Sequence, residues 1–251
     1  MASVENPRID AEESTEAAAF KVYGEYYSPP TQRVLMVLEE LGLDYVMEPV
    51  DLMKGAHKTP EFGEKNPFHM VPVLEHGQDF VLFESGAIAR YILTVAGERG
   101  KTLLGMTTKE AAKIDQWVNV EAYSYGLSCA GIFKEVFLNP KYYHKPTDSV
   151  RLEEHKRKFE QTLDVYEKIL SKQEYLVGDR FTYADLTHIP VTFLAVGCAH
   201  APMIMGRPHV AAWWKRISER ESIKKVMAMS PFQSFETESD EPSQQESGAD
   251  S

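Results

Sequence analysis

The chain has 251 residues, 43% of them hydrophobic, which is enough for one sizeable core or two small ones packed together. Its formal net charge is −11, but residues 1–19 carry −4 and residues 234–251 carry −6, so the remaining −1 leaves no basic footprint for nucleic acid. The longest apolar runs, such as "HIPVTFLAVGCA", fall short of the roughly 18 residues that cross a bilayer, and the two cysteines are too few for a disulfide framework.

Residues 1–19 are rich in Glu and Ser and cannot bury enough apolar area to order themselves, so a disordered acidic tail is expected there. From 20 to 96 the hydrophobic period changes repeatedly. "FKVYG" alternates as a strand, "PTQRVLMVLEELG" has helical spacing ending at Gly42, and "DYVMEPVDL" is extended again. "VPVLEHGQDFVLFE" reads as two strands around the turn signal His76-Gly77, and "SGAIARYILTVAG" returns to a helix. The order βαβ-ββα is that of a thioredoxin-like domain.

Residues 97–106, with three glycines, are the expected linker. From 107 to 232 the strand signals vanish and long amphipathic segments follow, predicting an α-helical bundle domain; the fold class is α/β plus all-α, in two segregated domains. Thr182, followed three residues on by Asp185, reads as a capping box and so as a folding signal. "AAWWKR" reads as helix packing around Trp213 and Trp214. Residues 233–251 form a second expected acidic, disordered tail.

Ser28 lies just before Pro29 and Pro30, where a helix begins. Serine is a preferred N-cap, and proline at the first helical positions sacrifices no needed N–H. A helix N-terminus is also an anion site, so Ser28 is either a cap alone or a cap and a hydroxyl donor to an anion. Its motif offers no histidine or lysine to act as a base, which makes it a poor covalent nucleophile. Cys129 and Cys198 read as small buried hydrophobes, and no His/Cys cluster has metal spacing, so no metal is expected.

The stretches "KVYG...S....RVL", "VDLMKGAHKTPEF", "NPFHMVPVLE", "LFESGAIARYI", "YLVGDRFTYADLTHIP" and "HVAAWWKRIS", in this order and spacing, resemble a cytosolic glutathione transferase, most closely the phi class. The resemblance implies glutathione as co-substrate and a serine-type mechanism, in which Ser28 donates to the glutathione thiolate. It places Glu84 and Ser85 at the γ-glutamyl end, Val71 and a cis Pro72 along the cysteinyl part, and Met70 at the glutathione site where the family's glutamine bonds the glycyl end. His57 and Lys58 fall near the glycyl carboxylate. Tyr26, Tyr27, Tyr123 and Phe133 are candidates for an apolar electrophile pocket, with Tyr27 the rival of Ser28 because other classes use a tyrosine hydroxyl there. A homodimer is implied, and a peroxidase side activity with it; the absence of a leader pattern makes the cytoplasm the expected location. A noncatalytic carrier or regulatory protein on the same fold is the alternative. Where the family usually has Gly-Gln before Val-Pro, this chain has His69-Met70, and the lost amide predicts weaker glutathione binding.

Overall fold

The computed structural model describes residues 20–230; both expected acidic tails, 1–19 and 233–251, lie outside them. The α/β part runs β1 (Phe20–Gly24), α1 (Pro29–Leu41), β2 (Tyr45–Pro49), a 3-10 turn (Ala56–Lys58), α2 (Pro60–Lys65), β3 (Val73–His76), β4 (Phe80–Phe83) and α3 (Ser85–Val95). The sheet order is β2-β1-β3-β4, with β1 parallel to β2 and the other two pairs antiparallel. Alternation along β1 sends Phe20 and Val22 into the main core, while Tyr23 turns to the other face, where Val50, Phe62 and Val73 form a small second cluster.

Helix α1 is apolar on most sides because it is enclosed: Val34, Leu35, Met36, Val37 and Leu38 are completely buried between the sheet, α3 and helices of the second half. Each such side chain contributes about 1.5–3 kcal/mol by leaving water. Gly42 ends the helix in the left-handed region, at φ 60°, as a stop signal of this kind requires.

The helical part comprises α4 (Glu98–Leu104), α5 (Thr108–Val120), α6 (Gly126–Phe133), α7 (Ser149–Leu170), α8 (Tyr183–Ala195), α9 (Ala201–Met205), α10 (Pro208–Ser218) and α11 (Glu221–Ala228). Three π-helical segments, Glu121–Tyr125, Lys134–Tyr142 and Val196–His200, join or extend these helices. One continuous apolar core runs from β1 and α1 through to α11, so the two halves are packed as one body.

The expected linker is a helix. Its three glycines are structural rather than flexible: Gly97 and Gly105 cap α4 at its two ends with positive φ (58° and 105°), and a Cβ at Gly100 would run into the carbonyl of Leu93. Asp185 holds the start of α8, accepting from the Thr182 N–H (3.0 Å) and hydroxyl (3.1 Å), the Leu176 N–H (2.9 Å) and the Trp213 indole (2.9 Å). Trp213 and Trp214 are buried packing residues, and both cysteines are buried.

Candidate functional site

The strand register collects the candidate residues. Gly24 stands opposite Pro49, Tyr23 opposite Val73, and Val73 opposite Phe83. The end of β1, the end of β2, the start of β3 and the end of β4 therefore form one row. The segments leaving that row carry Ser28, the Ala56–Lys58 turn, Val71–Pro72 and Glu84–Ser85.

Gly24 lets β1 lie directly against the first turn of α1, since a Cβ there would sit 2.5 Å from Thr31 Oγ1. A tight turn follows, with the Ser28 N–H bonded to the Glu25 carbonyl at 3.0 Å, and Ser28 takes the N-cap position with extended backbone. Its carbonyl accepts from the Gln32 N–H at 2.9 Å, but its hydroxyl makes no cap hydrogen bond. The residue occupies the cap position and leaves its side chain free of the capping task. A hydroxyl at this helix end, aided by the positive end of the helix dipole, favours an anion such as a thiolate.

The neighbouring tyrosines diverge. Tyr26 packs against the main core near Tyr45, and its carbonyl accepts from the Gln32 side chain at 2.8 Å. Tyr27 lies beside Glu25, Tyr142 and Asp51, and burial, reinforced by these neighbours, pushes its phenol up to about 12. At neutral pH it remains a protonated phenol. The hydroxyl of Tyr142, in the second π-helical segment, meets the thioether of Met53 from the loop after β2, so the helical half reaches across to the α/β half beside Tyr27.

At the start of α3, Glu84 is exposed and holds φ 71°, an uncommon value for a residue with a side chain. Ser85 is buried, and its Oγ accepts from Arg33 Nη1 at 2.9 Å. Arg33 Nη2 donates in turn to Glu121 Oε2 at 2.9 Å, and the Thr187 hydroxyl reaches the same oxygen at 3.4 Å. Burial raises the Glu121 carboxyl, with Arg33 and Thr187 opposing that shift. Because Ser85 accepts from a guanidinium, its own hydrogen remains available to a carboxylate at the helix N-terminus. The sequence reading assigned no role to Arg33 or Glu121. Its available signal was a carboxylate flanked at i−4 and i+4 by Trp117 and Tyr125, both buried, which marks Glu121 as an acid inside an apolar stripe.

On the other side of the row, Asn66 caps α2 and organises the next loop. It is 2% exposed, accepts from the Phe68 N–H at 3.0 Å and donates to the Met70 carbonyl at 2.7 Å. The Val71–Pro72 peptide bond is cis, as the resemblance implied. The Met70 side chain is exposed. His57 is half-buried and Lys58 exposed. Burial, then the nearby Lys58 and His69, lower the His57 pKa. Asn66 lay within a quoted motif without a role, and its buried side chain has no counterpart in hydropathy.

The other two expected pocket residues belong to the helical half. Tyr123 is 73% exposed and lines a groove of 740 Å³ between the α5–α6 run and α7, with Leu127, Lys158 and Val165. Glu121, two residues earlier, faces Arg33 of the α/β half, so the two side chains leave the helix on different sides. Phe133, at the end of α6, stacks on Phe137 with ring centroids 5.2 Å apart. Among the described residues there is no cluster of three or more metal-ligating side chains, and no helix long and apolar enough to cross a membrane.

Residues 18–94 match the family model "Glutathione S-transferase, N-terminal domain", and residues 131–221 match "Glutathione S-transferase, C-terminal domain". The chain is 40% identical over 210 residues to a probable glutathione S-transferase GSTF1 of Oryza sativa subsp. japonica, covering 83% of this chain and 95% of that protein. It is also 40% identical over 216 residues to glutathione S-transferase 3 of Zea mays, covering 86% and 96%. Among solved structures, glutathione transferase F7 from Populus trichocarpa is similar at a TM-score of 0.81 and 38% identity, over 85% of this chain and all of that one. Glutathione S-transferase I from mais, solved with an atrazine glutathione conjugate, is similar at 0.78 and 37%, over 84% and 98%.

Proposed function

The chain belongs to the glutathione S-transferase family, and from that premise we propose that it conjugates glutathione to apolar electrophiles, with Ser28 as the hydroxyl that holds the thiol as thiolate. A free thiol of this kind has a pKa of about 8.5, so little of it is nucleophilic at neutral pH. Lowering that value by about two units corresponds to roughly 2.7 kcal/mol. The observation that carries this reading is the Ser28 hydroxyl: buried at a helix N-terminus, at the collecting row of the sheet, and unused by the cap.

In this reading Glu84 takes the γ-glutamyl ammonium, and Ser85, polarised by Arg33, takes its carboxylate. The backbone of Val71 beside Pro72 lies along the cysteinyl part, with Met70 at its edge. His57 and Lys58 meet the glycyl carboxylate. The electrophile enters where Tyr27, Met53 and Tyr142 come together, and orientation of the two reactants there supplies much of the rate. The same thiolate attacks organic hydroperoxides as a side activity. The protein acts in the cytoplasm as a homodimer, for which the exposed Phe68, Tyr123 and Leu127 provide apolar contact surface.

The test is conjugation of glutathione to an activated halonitroaromatic between about pH 5.5 and 9, a range that brackets the free thiol. The native enzyme is expected to show a depressed apparent thiol pKa that Ser28→Ala loses. Equal rates in both proteins would move the role to Tyr27. Glutathione binding without turnover in either would favour the carrier reading.

A further inference from the structure

The Ala56–Lys58 turn is anchored on one side by its own loop: the Ala56 N–H bonds the Asp51 carbonyl at 2.9 Å, and the Lys58 N–H bonds the Gly55 carbonyl at 2.8 Å. From the other side the side chain of His69 reaches it. His69 Nδ1 lies 3.0 Å from the carbonyl oxygen of His57. A carbonyl only accepts, so this nitrogen carries the hydrogen.

Two further features are arranged around that bond. The His69 backbone sits at φ 54°, in the left-handed region that disfavours a side chain. Its ring lies where a Cβ on Gly63 would be 2.7 Å from Cε1, so glycine at 63 makes the slot the imidazole occupies. The His69 N–H is tied to the Asn66 carbonyl at 2.9 Å, and the same Asn66 fixes the loop leading to Val71. A strained conformation, a slot and a directed hydrogen bond therefore converge on the carbonyl of His57.

We propose that His69 is the positioning residue for the glycyl end of glutathione: its imidazole fixes the His57 carbonyl, and so aims His57 and Lys58 at the glycyl carboxylate. The proposal rests on the glutathione-site reading above. His57 Nδ1 is shut away from solvent without a hydrogen-bond partner, which leaves Nε2 as the edge that works. The departure at residues 69 and 70 thus replaces a direct contact by an indirect one, and the predicted loss of affinity is offset by a held turn.

The experiment compares glutathione with its glycyl monoethyl ester, in the native enzyme and in His69→Gly, His69→Asn and Lys58→Ala. Glycine suits the left-handed backbone and removes only the ring, so His69→Gly is expected to keep its Tm. Its KM for glutathione is expected to rise about three- to tenfold, the scale of one hydrogen bond, with kcat changed less than about twofold. The KM for the ester should hardly move. Asparagine, which tolerates the same backbone and offers a donor, should recover part of the loss. Lys58→Ala should likewise affect the acid more than the ester. If Lys58→Ala separates acid from ester and His69→Gly does not, His69 is not a positioning residue and the proposal alone falls. If neither variant separates them, the turn does not serve the glycyl end, and the site reading falls together with the proposal.

Discussion

Helices α8 and α1 begin alike and are used differently. At the start of α8, Thr182 has extended backbone, and its N–H and hydroxyl both go to Asp185, whose carboxylate also accepts from Leu176 and from the indole of Trp213. At the start of α1, Ser28 has the same kind of backbone and is buried almost as deeply, yet its hydroxyl makes no cap bond. At the first terminus the cap residue has spent its N–H and hydroxyl on the fold. The second has kept one in hand at a helix end where an anion is welcome. A buried polar group that the protein satisfies is a stability device, and one that it leaves unspent is a candidate for the ligand.

The comparison is broken most directly by two alanine substitutions. Asp185→Ala strips four donors of their acceptor in a dry site, and is expected to lower unfolding free energy by about 3 kcal/mol or more. Urea unfolding monitored by the buried tryptophans measures this. A loss below about 1 kcal/mol, the size of an ordinary exposed contact, would mean that the α8 terminus is not a stability device. Ser28→Ala should do the reverse: conjugation falls roughly a hundredfold, the equivalent of about 2.7 kcal/mol, while Tm stays within about 2 °C because no cap bond is lost. A large drop in Tm would show that Ser28 is a working cap after all.

Between these extremes stands Glu121, which the fold satisfies through Arg33 and which touches the site through Ser85. Glu121→Gln keeps the shape but removes the charge opposite a mostly buried guanidinium. A loss of about 1–2 kcal/mol in stability is expected, together with a rise in KM for glutathione as Ser85 loses its orientation. Stability loss with unchanged KM would place Arg33 wholly on the structural side. A smaller effect is expected from Tyr27→Phe, since its phenol is held protonated and Ser28 already stabilises the thiolate. The rate with a small electrophile should fall less than about threefold, below the worth of a typical hydrogen bond. A loss matching that of Ser28→Ala would make the tyrosine the thiol's partner.

Much of this contrast was legible in the letters. The changes of hydrophobic period gave the βαβ-ββα order and the long helices, because each element buries one face and period follows from burial. Thr182 and Asp185 read correctly as a capping pair. What escaped depends on distances that no local pattern encodes. The glycines of 97–106 read as a linker, whereas two cap a helix and the third permits contact with Leu93. Spacing left Tyr123 and Phe133 as equal candidates for the cleft, and only the fold shows that Tyr123 lines a groove against α7 while Glu121, two residues earlier, faces Arg33. The positions of Arg33, Asn66 and His69 were printed in the motifs, and only the fold reveals what each one holds.

The weakest case sharpens the boundary between spent and unspent groups. Glu110, near the start of α5, accepts from the Met106 N–H at 2.8 Å and from Arg180 Nε at 3.0 Å, so its carboxylate is committed although it lies near the surface. The Met106 bond, then Arg180, hold its carboxyl below the usual range. A group with a depressed folded pKa stabilises fully above its unfolded value of about 4.3, and that contribution drains as pH falls through the folded value. Near neutral pH, Glu110→Gln is therefore expected to cost up to about 1 kcal/mol, limited by solvent screening. As pH falls through the depressed folded value and the native carboxyl takes up its proton, native and variant should converge in unfolding free energy. A gap that persists unchanged in acid would mean that shape rather than charge holds Glu110 to Met106 and Arg180, and Glu110 would then leave the set of groups whose charge the fold has spent.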